Sequence, residues 1–133
     1  MNSRFLILNS QFLLLCAFLL TSCKPVPLTE MKIPLAGESV IDTIDGEPYR
    51  YFRYETMEAT EADVAKISPD GKRIGRKRMR WEGPVHIYTF RKRIVIYVGS
   101  NPKVISTIEE VFGPQIAGDP VEVVQEKEEK EGE

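Results

Sequence analysis

The stretch VHIYTFRKRIVIYVGSNPKVISTIEEVFGP, residues 85–114, constrains the fold more than any other. Val85 to Phe90 and Arg93 to Val98 are rich in β-branched and aromatic residues, which suit a pleated, buried surface. Only Arg91 and Lys92 separate them, so the pattern predicts a hairpin, although that pair lacks the usual Asn-Gly or Asp-Gly chemistry. Asn101 then stands where a helix N-cap would, with Pro102 at the first helical position. Val104, Ile105, Ile108, Val111 and Phe112 make one apolar face, and Gly113-Pro114 end the helix. The unit is strand, strand, helix, with the helix laid across the sheet.

The chain before this unit adds strands. SVIDTI is a short strand candidate, stopped by Asp45-Gly46-Glu47-Pro48. YRYFRYET alternates Tyr49, Tyr51 and Arg53 against Arg50, Phe52 and Tyr54. MEATEADVAK carries a thin apolar stripe, and Thr60 would cap a short helix there with Asp63 at the capping-box position. KISPDGKRIG reads as two short strands about a turn at Ser68-Pro69-Asp70-Gly71. The fold class expected is α+β: a small antiparallel sheet of four to six strands with one clear C-terminal helix, 102–112, packed on it. The folded part is expected over 38–118. Before it, 23–37 is a proline-rich tether, which at ~3.1 Å per residue would hold the domain up to ~40 Å away from its attachment. After it, 119–133 is an acidic, disordered tail. A chain of 133 residues allows one small domain.

The first residues do not belong to that domain. Phe12 to Leu20 is an uninterrupted apolar run, too short for a membrane span of ~20 residues and suited to the apolar core of a signal peptide. It ends in Leu20-Thr21-Ser22-Cys23. This sequence resembles the lipobox of bacterial lipoproteins: an aliphatic residue, two small residues, then the cysteine. The resemblance covers residues 1–23 and implies a signal peptide over 1–22, cleavage before Cys23 and a diacylglycerol on its sulfur. Lys24 after the cysteine implies an outer-membrane site facing the periplasm in a Gram-negative host. In a Gram-positive host the anchor would lie on the outer face of the cell membrane.

That resemblance settles the expected cysteine chemistry. Cys16 leaves with the signal peptide and Cys23 becomes a thioether. The chain from residue 23 then offers no thiol for catalysis, no disulfide and no Cys/His metal site. Other routes to chemistry are thin. His86 is the only histidine, set on a strand in register with Tyr88 and Phe90, and a general base needs a partner that no spacing suggests. Asp42, Asp45, Glu47 and Glu55 are the carboxylates a small hydrolase would use. Tyr49, Tyr51, Tyr54 and Trp81 would line a pocket if the domain were a small-ligand or ion-binding module. No cofactor is expected, and the leading expectation is a non-enzymatic structural or interaction module.

Charge is unevenly placed. Residues 72–93 carry nine basic residues and one acidic, while 23–71 and 119–133 are each five charges to the acidic side. Lys72, Arg73, Arg76, Lys77, Arg78 and Arg80 form the candidate polyanion-binding surface. The same residues could be a solvated strand face, or could pair with the acidic tail. The expected export argues against nucleic acid as the partner, leaving anionic envelope polymers, lipid headgroups or an envelope protein. Separately, Arg93 to Gly113 looks like the small N-terminal domains of secretin channels, which build rings. That likeness implies an assembly role.

Cys23→Ala should abolish metabolic labelling with fatty acid and release or mislocalise the protein; unchanged labelling would contradict the lipobox reading.

Overall fold

The computed structural model describes residues 24–121. The signal peptide expected over 1–22, the lipidation expected at Cys23 and residues 122–133 of the expected tail lie outside the described residues. In chain order the elements are β1 (Glu38–Ile44), β2 (Glu47–Arg53), α1 (Met57–Val64), β3 (Arg73–Ile74), β4 (Lys77–Arg78), β5 (Val85–Phe90), β6 (Arg93–Val98), α2 (Pro102–Phe112) and β7 (Ala117–Gly118). Five strands form one antiparallel sheet in the order β1-β2-β6-β5-β7, and β3 and β4 form a separate two-stranded ribbon. The class is therefore α+β and mostly sheet. There are two helices among the described residues, and α2 is not the last element, because β7 follows it.

Local chemistry explains these elements. Asp45 and Gly46 both take positive φ, 52° and 79°, and join β1 to β2 with Ile44 opposite Glu47. Two positive-φ residues are what a right-handed two-residue hairpin requires. What reads in sequence as a strand stop is thus a hairpin turn. β5 and β6 pair from Val85↔Val98 to Phe90↔Arg93, with Arg91 at φ 56° in the loop. The Asn101 side chain accepts the Lys103 N–H at 3.0 Å and caps α2. Thr56, one turn before Thr60, caps α1 by accepting the Ala59 N–H at 3.0 Å. The expected strand pairing around Ser68–Gly71 is present as a single bridge, Ile67↔Ile74. Gly118 lies so close to β5 that a Cβ there would sit 2.1 Å from the Val85 carbonyl oxygen.

The sheet is apolar on both faces, and each face has a cover. On one, Tyr49, Tyr88, Val95 and Tyr97 pack under Val104, Ile105, Ile108 and Phe112 of α2. Val111, expected on that apolar face, is 54% exposed instead. On the other, Phe52, Val85, Ile87, Ile94 and Ile96 pack with Leu28, and the partly buried Ile33, Leu35, Val64, Ile67 and Trp81 join them. Met31, Ile74 and Met79 extend that layer.

The second cover corrects the expected tether. Leu28 and Met31 are each only 6% exposed, so this segment is part of the fold and not a free spacer. The Arg50 guanidinium fixes it by donating to the Leu28 carbonyl at 2.9 Å and the Met31 carbonyl at 2.5 Å. The Ala36 N–H donates to Asp63 Oδ2 at 2.6 Å. Asp119, expected to begin the free tail, is also held: its Oδ2 accepts the Val85 N–H at 2.9 Å.

Leu28→Ala and Met31→Ala should each destabilise the protein by about 2–5 kcal/mol in urea unfolding, as for truncation of any buried Leu or Met. A free tether would leave the midpoint unchanged.

Candidate functional site

The β3–β4 ribbon carries the six cations singled out in sequence. Its pattern, KRIGRKRMR, contains two apolar side chains, and both point inward: Ile74 is fully buried and Met79 is 4% exposed. Lys72, Arg73, Arg76, Lys77, Arg78 and Arg80 are all exposed. The ribbon is braced at its base. Ser68 N–H donates to the Arg73 carbonyl at 2.9 Å, Gly75 N–H to the Lys66 carbonyl at 2.8 Å, and Met79 N–H to the Lys72 carbonyl at 2.8 Å. The Trp81 indole N–H donates to the Gly71 carbonyl at 2.8 Å. Asp70 Oδ1 accepts from the Lys72 N–H and the Ser68 hydroxyl, which hold its carboxyl below the usual carboxylate value.

Pairing sets the electrostatics. Arg73 stands directly opposite Arg78. Like charges in that position repel across the strands. Among the described residues the ion pairs are Arg53–Glu38, Lys66–Asp63 and Lys72–Asp119, the last at 3.6 Å. Of the ribbon cations, only Lys72 has a carboxylate. Lys77 donates its ammonium to the Lys32 carbonyl.

Of the residues that would serve catalysis, His86 and Glu47 are taken up in structural bonds. His86 is 2% exposed. Its ring lies on Tyr97, with Nδ1 2.9 Å from Gln115 Oε1 and Nε2 3.0 Å from the Gly99 carbonyl. Gln115 is oriented by donating its amide to the Asp119 carbonyl at 2.7 Å. The ring therefore ties β5 to the loops flanking α2 and has no carboxylate partner. Glu47 accepts from the Tyr97 hydroxyl and the Asn101 amide with its two oxygens. Asn101, then Tyr97, hold its carboxyl below the ordinary value, while burial and then Glu47 push Tyr97 up to about 12. Asp42 lies opposite Tyr49 in register and accepts its neighbour's N–H at 2.8 Å, Asp45 is in the turn, and Glu55 follows β2. Among the described residues no cluster of three His, Cys, Asp or Glu side chains is placed to hold a metal ion.

The aromatic pocket does not form either. Tyr49 and Tyr51 belong to the α2 side of the sheet, and Tyr54 and Trp81 to the opposite side. An open groove of about 200 Å³ lies elsewhere, lined by Pro27, Leu28, Pro48, Gly83, Val98 and Gly99. Small-molecule sites commonly run from ~300 Å³ upward.

Sequence reasoning did not single out Asp63 as a core residue. It is 2% exposed in α1 and accepts from the Ala36 N–H, the Tyr54 hydroxyl at 2.7 Å and the Lys66 ammonium at 2.8 Å. This carboxylate joins β2's end, α1 and the N-terminal segment. Its only sequence signal is position: it recurs three residues after Thr60 on the one α1 face that is buried. Comparison with family models, with curated proteins and with solved structures gives no match.

Burial pushes the Asp63 carboxyl upward, but Lys66, the Ala36 N–H and Tyr54 together outweigh it and hold it below its ordinary value of 3.8. A depressed folded-state value means stability that is full above pH ~4 and drains as pH falls through the lower folded value. Asp63→Asn should flatten that acid loss of stability without abolishing it, because Glu47 and Asp70 are also lowered. At neutral pH the same variant should cost about 1–3 kcal/mol, the scale for disturbing a buried, charged hydrogen-bond hub. An acid-unfolding midpoint identical to that of the native chain would contradict this.

Proposed function

We propose that the chain is a lipid-anchored protein of the bacterial cell envelope that acts by contact, without catalysis, and that the β3–β4 ribbon is its contact surface for an anionic partner. The observation that carries this reading is the Arg73–Arg78 pair. A ribbon kept only for structure gains nothing from like charges placed opposite each other, and cross-strand pairing can contribute up to ~1 kcal/mol in either direction. Arg76 at its tip and Arg80 at its exit add two more cations without a carboxylate among the described residues. Guanidinium groups bind phosphate and carboxylate oxygens through two parallel N–H donors, which suits a polyanion. The apolar pins Ile74 and Met79 hold the ribbon rigidly, so little conformational freedom is lost on binding.

The lipobox-like Leu20-Thr21-Ser22-Cys23 supports the envelope setting. The occupied oxygens of Glu47, the purely structural bonds of His86 and the divided aromatics favour contact over hydrolysis or small-ligand capture.

Arg78→Glu would place opposite charges across the ribbon. It should raise stability by about 0.5–1 kcal/mol while lowering the salt concentration that elutes the protein from immobilised polyphosphate. No retention of the native chain at low salt would contradict the reading.

A further inference from the structure

We infer that the ribbon's anionic partner is the phospholipid headgroup layer of the membrane that carries the Cys23 anchor, so that the domain lies against that membrane with the ribbon facing it. This rests on the contact reading above and on lipidation at Cys23.

Position carries the inference. The Val26 N–H donates to the Arg80 carbonyl at 3.4 Å, which sets the start of the described chain beside the exit of the ribbon. Met31 packs on Ile74 and Met79, the two side chains that pin the ribbon. Lys77 reaches the Lys32 carbonyl from the ribbon side. The N-terminal segment and the ribbon are thus one packed unit, and the described chain begins beside Arg80. Three residue steps separate Cys23 from Val26, at most about 11 Å of extended chain. The Debye length at physiological ionic strength is about 8 Å, short of that reach by about 3 Å, which is less than the reach of an extended arginine side chain.

The chain would therefore hold Arg73, Arg76, Arg78 and Arg80 near the plane of the headgroups, with Lys24, also exposed, between anchor and domain. An acyl anchor beside a basic patch gives two membrane signals, where each cation adds about fivefold to affinity for an anionic surface. A soluble polymer or an acidic protein would be contacted as well by a domain standing far from the bilayer. The docked segment and the adjacency of anchor and cations favour the headgroups.

The test uses the chain from residue 23 with Cys23→Ser, which retains every described residue and both covers of the sheet. It is sedimented with vesicles of phosphatidylcholine alone or mixed with phosphatidylglycerol, and offered polyphosphate separately. The expected result is sedimentation with the mixed vesicles only, lost at 1 M salt. Arg73→Gln, Arg76→Gln and Arg78→Gln together should weaken it roughly 100-fold. These side chains are exposed, so the thermal midpoint of the triple variant should not fall. Binding to polyphosphate but not to the mixed vesicles would overturn the headgroup assignment and leave the contact reading standing. Binding to neither would overturn both, and equal binding to the two vesicle types would overturn the electrostatic basis of the assignment.

Discussion

A sheet whose central strands are apolar on both faces needs two covers. β5 and β6 are that pair: Val85 to Tyr88 and Ile94 to Tyr97 are buried without a break. Helix α2 can cover only one face. The second must be closed by whatever else the chain supplies, and it supplies three small pieces: the N-terminal segment, α1 and the β3–β4 ribbon. None of these is large enough to fold alone. The N-terminal segment and the ribbon bury apolar side chains, α1 adds the partly buried Val64 beside its buried Thr60 and Asp63, and each piece is fixed by polar bonds at its edge.

Those polar bonds are where the fold is specified. Arg50 sits on β2 on the second face, beside Phe52, and reaches two carbonyls of the N-terminal segment. Asp63 takes the Ala36 N–H and the Tyr54 hydroxyl, so α1 and the same segment are joined at one carboxylate. A buried charge is costly unless its hydrogen bonds are complete. Buried Asp63 meets that condition, and half-buried Arg50 meets it in part, by capturing backbone groups of a segment with no helix or strand of its own. The function proposed draws on this closure, because the segment's seat on Ile74 and Met79 sets the start of the described chain beside the exit of the ribbon.

Legibility in sequence tracks periodicity. β5, β6 and α2 were readable to the residue, because unbroken apolar runs, a two-residue gap and an Asn-Pro cap are strong local signals. Met31, Ile33 and Leu35 alternate over only five residues, with Leu28 out of step and Pro25, Pro27 and Pro34 close by, so their burial has too short a local signature to separate from a proline-rich spacer. Asp63 looks like one more surface acid of a weak helix. Its role depends on Tyr54 and on Ala36, 27 residues away. The six cations were legible by composition alone. That Arg73 faces Arg78 was not, because the pairing turns about Gly75 and Arg76, not about the more evident Pro-Asp-Gly turn.

Residues 24–37 are structure and not spacer. Amide hydrogen exchange at Ala36 tests it most directly, since that N–H has one acceptor, the buried Asp63 carboxylate. If the segment closes the second face, Ala36 should exchange as slowly as the amides of β5 and β6, opening only with the sheet. Exchange at Ala36 near the free-peptide rate, while β5 and β6 stay protected, would contradict the account.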